Sequence, residues 1–268
     1  MRYAKDSFVV NPERDIPLLR QVRNSKFVSH AQLFEHMSLG GLERSRKSFN
    51  WRVKRLIDSG HIAVCAGVFG AGSSVYRITK DGLTLLEYHG QFTAVLHSNT
   101  QHLPNTGQVF HALELNNIQL ALARKNLLAG WQSELEIASF NTISRTPYCK
   151  DYDAVVDVWI DDGLARFALE YERTLKGAQH YQRIRSALEA ENQISTILYL
   201  SSGPDMLVHL VHEFEGIKKP MAFCSATSFA EGLLNTTVIT GTDQPAMCFG
   251  SLLGKHASWS LKAQVSRG

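Results

Sequence analysis

DAVVDVWIDDGLARFALEYERT (residues 153–174) holds two β-prone runs separated by Asp161-Asp162-Gly163. Aliphatic and aromatic residues dominate both runs and turn residues lie between them, which predicts a β-hairpin. Side chains i and i+2 of a strand share a face, so Glu170 and Glu172 point the same way. The hairpin brings Asp153 near their level. Three carboxylates converging there would make a hard-oxygen site suited to Mg²⁺ or Mn²⁺. An ion so held polarises a phosphodiester and generates hydroxide. A plainer reading stays open beside this one. Phe167, Leu169 and Tyr171 form an apolar face, and a strand buried on one side carries polar residues on the other.

The flanking segments extend the pattern. Before the hairpin, residues 111–131 predict a helix stopped at Gly130. WQSELEIASF (131–140) then predicts a strand on which Glu134 and Glu136 share a face, and a polar loop follows. After the hairpin, residues 175–192 predict a helix with Ala178, Tyr181, Ile184 and Leu188 on one stripe. STILYLSS (195–202) reads as a strand buried on both faces. Residues 204–216 predict a helix, and MAFCSATSF (221–229) a further strand. The order αβββαβαβ gives a mixed sheet with helices on both sides, which is also the core order of the PD-(D/E)XK nuclease-like fold.

The N-terminal third reads differently. Residues 15–24 predict a helix with Ile16, Leu18, Leu19 and Val22 on its apolar side, and Lys26-Phe27-Val28 a short extended piece. Ser29 and Gln32 have capping-box spacing at the start of a second helix, whose buried face is Leu33, Phe34 and Met37. After the turn at residues 38–41, LERSRKSFNWRVKRLIDSG (42–60) predicts a longer helix, with Phe49, Val53, Leu56 and Ile57 inward and Gly60 as its terminator. HIAVCAGVF and SSVYRIT, joined by Gly70-Ala71-Gly72, predict a hairpin. Thr79 then caps a short helix. Helix, helix, turn, basic helix, hairpin, helix is the winged helix-turn-helix plan. The segment LIDSGHIAVCAGVFGAGSSVYRITKDGLTLL (56–86) resembles the winged-helix ending, with its Tyr-x-Ile-Thr-x-x-Gly run. The resemblance implies that the basic helix enters the major groove of duplex DNA. Arg44, Arg46, Lys47, Ser48, Asn50, Arg52, Lys54 and Arg55 are the expected contacts, to phosphates and to base edges.

HALELNN (111–117), DYDAVV (151–156) and FALEYERTLKGAQHYQRI (167–184) together resemble the replication-relaxation family of plasmid and mobile-element proteins, over about residues 10–200. That likeness implies two domains, α+β then α/β: a winged helix-turn-helix over 1–90, a linker over 91–110, and a mixed-sheet PD-(D/E)XK nuclease-like domain over 111–268. It implies a part in replication, maintenance or transcription control of a mobile element. The nuclease class reads Asp…Glu-x-Lys at its active site, and this chain departs from it: Glu172 stands at the lysine position. The nearest substitute is Lys176, at the start of the next helix, while Arg173 alternates to the other face. The expected catalytic set, if active, is Asp153, Glu170, Glu172 and Lys176, with the three carboxylates as the metal ligands. The departure favours a degenerate nuclease fold, used for DNA contact or to pair the chain as a homodimer. A Mg²⁺-dependent endonuclease targeted by the winged helix, and an interaction protein that uses both folds without DNA, are the alternatives.

Composition narrows the classes. The 268 residues are 44% apolar and 20% charged, enough to bury a core. Residues 1–90 carry 14 Lys/Arg against 8 Asp/Glu, and residues 91–268 carry 14 against 17. A basic N-terminal third suits a polyanion. Cys65, Cys149, Cys224 and Cys248 form no CxxC pair, so neither a zinc site nor a disulfide framework is expected. His97, His102 and His111 lack metal-ligand spacing. No run of apolar residues is long enough to span a membrane. MRYAKDSFVVNPERD lacks the apolar core of a secretory signal, so a cytoplasmic location is expected. There is no P-loop, GxGxxG or GxSxG, nor the tyrosine and histidine arrangement of a relaxase.

Overall fold

The computed structural model describes residues 9–66, 73–94, 105–161, 163–242 and 244–256. The expected Gly70-Ala71-Gly72 connection, His97, His102 and Asp162 lie outside them. The chain divides into two compact units, Met1–Asn116 and Asn117–Gly268. No described helix is long and apolar enough to cross a membrane.

The first unit runs α1 (Pro12–Asn24), β1 (Val28–Ser29), α2 (His30–Leu39), α3 (Arg46–Asp58), β2 (Ile62–Val64), β3 (Val75–Ile78) and α4 (Lys80–Tyr88). Local chemistry sets most of these borders. Pro12 sits in the first turn of α1, where its missing N–H leaves no bond unmade. The Gln32 N–H donates to Ser29 Oγ at 3.2 Å and the Ser29 N–H to Gln32 Oε1 at 3.1 Å, the reciprocal cap expected from the sequence. Gly60 ends α3 at φ +76°. Its N–H bonds the Ile57 carbonyl and the His61 N–H that of Leu56, each at 2.9 Å, a Schellman ending. The Tyr76-x-Ile78-Thr79-x-x-Gly82 run has a physical basis. Thr79 Oγ1 accepts the Gly82 N–H at 3.1 Å to start α4, and a Cβ on Gly82 would come within 2.2 Å of the His61 carbonyl oxygen. β2 and β1 flank β3, both antiparallel to it. Leu18, Leu19, Val22, Leu33, Phe49, Leu56, Ile62 and Leu86 form the core beneath.

The α5 helix (Thr106–Arg124) begins inside the segment expected as a linker, and Val109 and Leu113 pack with Cys65 and Val75. Its end differs from expectation. Asn126, at φ +55°, terminates it, with the Leu127 N–H bonded to the Leu122 carbonyl. Gly130 instead lies within β4 (Leu128–Ser133), at a register irregularity facing Asp157. There a Cβ would meet Asp157 Oδ2 at 3.0 Å.

The strand expected over 131–140 is also corrected. β4 stops at Ser133 and α6 (Glu134–Ile143) follows. The Glu136 carboxylate accepts the Ser133 N–H at 2.9 Å and its hydroxyl at 2.8 Å, so an S-x-x-E cap overrides the apparent alternation. Glu134 and Glu136 therefore share no strand face.

β5 (Ala154–Ile160) and β6 (Gly163–Glu172) form the expected hairpin, pairing from Ala154↔Leu169 to Ile160↔Gly163. Beyond it lie α7 (Ala178–Ala190), β7 (Ile197–Ser201), α8 (Pro204–Glu213) and β8 (Met221–Ser225). β8 is shorter than expected: Ser225 Oγ accepts the Ser228 N–H at 3.0 Å and starts α9 (Ala226–Gly232). β9 (Thr237–Val238), β10 (Met247–Cys248) and α10 (Phe249–His256) complete the described chain.

The main sheet is mixed, in the order β4-β5-β6-β7-β8, antiparallel up to β6 and parallel after it. Both faces are covered. Tyr181, Ile184 and Leu188 of α7 and Leu210 of α8 pack on Val155, Ala168, Ile197, Tyr199 and Phe223. On the other face, Phe167 meets Phe249 of α10 edge-on at 5.1 Å. β6 is buried from Phe167 to Glu172, so its glutamates lie inside the unit rather than on an exposed face.

The first unit's core gives a direct test of how α3 is turned. Phe49 is fully buried, 5.2 Å from the Phe34 ring. Phe49→Ala should destabilise the protein by roughly 3–5 kcal/mol in chemical denaturation. A loss under about 1 kcal/mol would contradict this packing.

Candidate functional site

Two groups of charged side chains are candidates, one in each unit. The first is α3. Ser45 caps it, its Oγ accepting the Ser48 N–H. Arg44, Arg46, Lys47, Asn50, Trp51 and Lys54 are exposed, while Ser48 and Arg55 are half-buried. Among the described residues Arg44 and Lys47 make no ion pair. Lys54 pairs with Asp58 at 2.8 Å in full solvent contact. The Arg46 guanidinium lies over the Phe34 ring, 4.5 Å from its centroid. Asn50 Oδ1 accepts from His30 Nε2 at 2.9 Å, and His30 Nδ1 lies 2.8 Å from the Tyr76 hydroxyl. Burial holds the His30 imidazole below its ordinary pKa, with Asn50 opposing that shift and Arg46 adding to it. The ring thus bridges the Tyr76 hydroxyl and the Asn50 amide.

Arg52 overturns its expectation. It is 5% exposed. Its Nη1 donates to Asp15 Oδ1 at 2.8 Å and its Nε to Glu43 Oε1 at 2.7 Å. Arg14 adds a 2.6 Å contact to Glu43, and Arg55 bonds Asp15 and the Val9 carbonyl. Burial alone would lower the Arg52 pKa, but the two carboxylates more than offset it and hold the guanidinium above its ordinary value. Arg52 thus fastens α3 to α1 and faces no solvent. No sequence pattern marked Asp15 or Glu43 as its partners.

The second group lies where β5 and β6 meet. Continuing the register from Ala154↔Leu169 puts Asp153 opposite Glu170, as the hairpin predicted. Glu172 is two residues further along β6. Each carboxylate has a donor of its own. Glu170 Oε1 accepts from Lys150 Nζ, Glu172 Oε2 from Lys176 Nζ at 2.6 Å, and Asp153 Oδ2 from the Tyr171 N–H at 2.8 Å. Lys176 precedes α7 rather than opening it. Lys150, three residues before Asp153 in a polar loop, was not anticipated: no spacing rule singles it out.

Burial pushes the Glu170 carboxyl up to about 7; Lys150 opposes this and Asp153 adds to it. Lys176 is held above its ordinary value: burial would lower it, and Glu172 outweighs burial. Among the described residues the buried Tyr199 hydroxyl has no hydrogen-bond partner, and burial first, then Glu170, Glu172 and Asp153, drive its pKa well up.

This arrangement does not fit the expected Mg²⁺ or Mn²⁺. Lysine ammonium groups lie against the two glutamates that would be ligands. Among the described residues no group of three or more His, Cys, Asp or Glu side chains is placed to hold a metal ion.

No family model matches the chain, and no curated protein matches it. The resemblance to the replication-relaxation family therefore rests on the residues quoted above. Among solved structures, the restriction endonuclease FokI, alone and bound to DNA, matches at 12% identity with TM-scores of 0.26 and 0.24. Each match covers 82% of this chain and 43% of FokI, so the chain spans less than half the length of that protein.

Each group has its own test. Arg52→Ala would strand two buried carboxylates and should cost about 3–5 kcal/mol of stability. Lys47→Ala, on the exposed side of the same helix, should stay within about 0.5 kcal/mol. Equal losses in urea unfolding would contradict the burial of Arg52. For Glu170, the folded-state value of about 7 exceeds the ordinary 4.5. Its stabilising contribution is therefore full below about 4.5 and is lost as pH rises through about 7. Between pH 4 and 8 the stability of Glu170→Gln should fall less than that of the wild type, and parallel curves would refute the shift.

Proposed function

We propose that the chain is a double-stranded-DNA-binding protein, a regulator or replication and maintenance factor of a plasmid or other mobile element. In this reading residues 1–90 are a winged helix-turn-helix and the second unit is a nuclease-like domain that no longer cleaves. The observation that carries DNA binding is the outer face of α3. Arg46, Lys47, Asn50 and Lys54 stand exposed together on it, with Arg44 exposed just before the helix, and cations with polar side chains on a single helix face suit phosphates and base edges. The helix order and the three-stranded sheet β1-β3-β2 support the winged-helix assignment. The mobile-element role rests on the replication-relaxation resemblance.

The loss of cleavage follows from the acidic group. Each of its buried glutamates is paired with a half-buried lysine, so part of the charge that a divalent cation would supply is already provided by the chain. A second reading, a metal-dependent endonuclease, draws on one observation: extending the β5–β6 register puts Asp153, just before β5, opposite Glu170 of β6.

One experiment separates the two. The full-length chain should bind duplex DNA with an affinity that falls steeply as salt rises. Arg46→Ala and Lys47→Ala should each reduce the salt slope by about one. Supercoiled plasmid incubated with the chain and millimolar Mg²⁺ or Mn²⁺ should stay intact. Metal-dependent nicking that disappears in Glu170→Gln would establish the endonuclease, and absence of binding at low salt would refute both readings.

A further inference from the structure

The outer face of α3 carries one side chain that phosphate neutralisation does not explain. Trp51 is 58% exposed, although large aromatic rings bring most of their stabilisation through burial. At about 100° per residue it stands about 200° around the helix from Phe49, and so lies almost opposite the buried stripe. Lys47 precedes it by one turn and Lys54 follows by nearly one, on the same line, with Arg46 and Asn50 exposed beside them. The Arg55 guanidinium sits 5.2 Å from the Trp51 ring centroid and is itself held by Asp15. This contact restrains the indole from one side and leaves much of its surface open.

A partner for this face must be anionic, because cations surround the ring. It must also offer an apolar group that one projecting indole can reach. Duplex DNA meets both demands. Phosphates line the major groove, and the C5 methyl of thymine is the apolar group displayed within it. Resting on the reading of α3 as the groove-entering helix, we propose that Trp51 is a specificity-determining contact that recognises thymine methyl groups in the major groove. The lysines and arginines then hold the backbone without regard to sequence, and Trp51 makes the complex favour thymine. Cytosine and uracil lack the methyl and give the indole nothing equivalent to cover.

The probe is a duplex of alternating dA and dT, compared with the same duplex in which deoxyuridine replaces thymidine and removes only the methyls. Binding of the full-length chain is followed by fluorescence anisotropy over a range of salt. The thymine duplex should bind about fourfold tighter for each methyl covered. Trp51→Ala should bind both duplexes alike while keeping the wild-type salt slope, and Trp51→Phe should retain part of the preference. Lys47→Ala should lower the slope by about one and keep the preference. Equal wild-type affinity for the two duplexes, or a preference that survives in Trp51→Ala, overturns the proposal and leaves DNA binding standing. No binding to either duplex at low salt overturns the DNA-binding reading and this proposal with it. The wild-type comparison needs no variant, so the outcome does not depend on how Trp51→Ala folds.

Discussion

A charge taken out of water costs several kcal/mol unless an opposite charge goes with it, and both units of this protein are arranged around that constraint. In the first, Arg52 lies inside with Asp15 and Glu43, and Arg14 and Arg55 close the remaining acceptors. In the second, Glu170 and Glu172 are buried and each pairs with a half-buried lysine, Lys150 and Lys176. Geometry follows from this matching. Arg52 reaches Asp15 on α1 in the same rotation of α3 that buries its apolar stripe. Phe49, Val53 and Leu56 then face the core, and Lys47, Trp51 and Lys54 face water.

That division of labour along one helix matters for function. Of eight polar and basic residues expected to meet DNA, Arg52 is buried and two, Ser48 and Arg55, are half-buried. The interior arginine sets the rotation that displays the others. The Tyr76–His30–Asn50 chain works in the same way on a smaller scale: β3 and α2 hold a side chain that α3 displays.

The acidic group shows how one backbone arrangement serves two chemistries. Adjacent antiparallel strands bring Asp153 and Glu170 side by side, and a third carboxylate follows on the same face. Carboxylates so close repel one another and need positive charge nearby. A metal ion or a lysine ammonium satisfies that need equally well. Here Lys150 from the loop before β5 and Lys176 from the loop after β6 provide it.

What the sequence determined by itself is what short-range bonds determine. The Ser29–Gln32 cap, the Gly60 ending of α3 and the Thr79 start of α4 close within a turn or two of helix, and the β5–β6 hairpin at a tight chain reversal, so pattern and spacing suffice to read them. The inward stripe Phe49, Val53, Leu56 was legible for the same reason. The tertiary structure decided the rest. Alternation in WQSELEIASF suggested a strand, but the Glu136 side chain bonds back to Ser133 and turns the segment into a helix. Arg52 looked like its basic neighbours, because the carboxylates that claim it lie 9 and 37 residues away. Lys150 joins Glu170 across 20 residues and two strands. Composition counts charges along the chain, but only the folded chain determines which of them meet out of water, where pairing is obligatory.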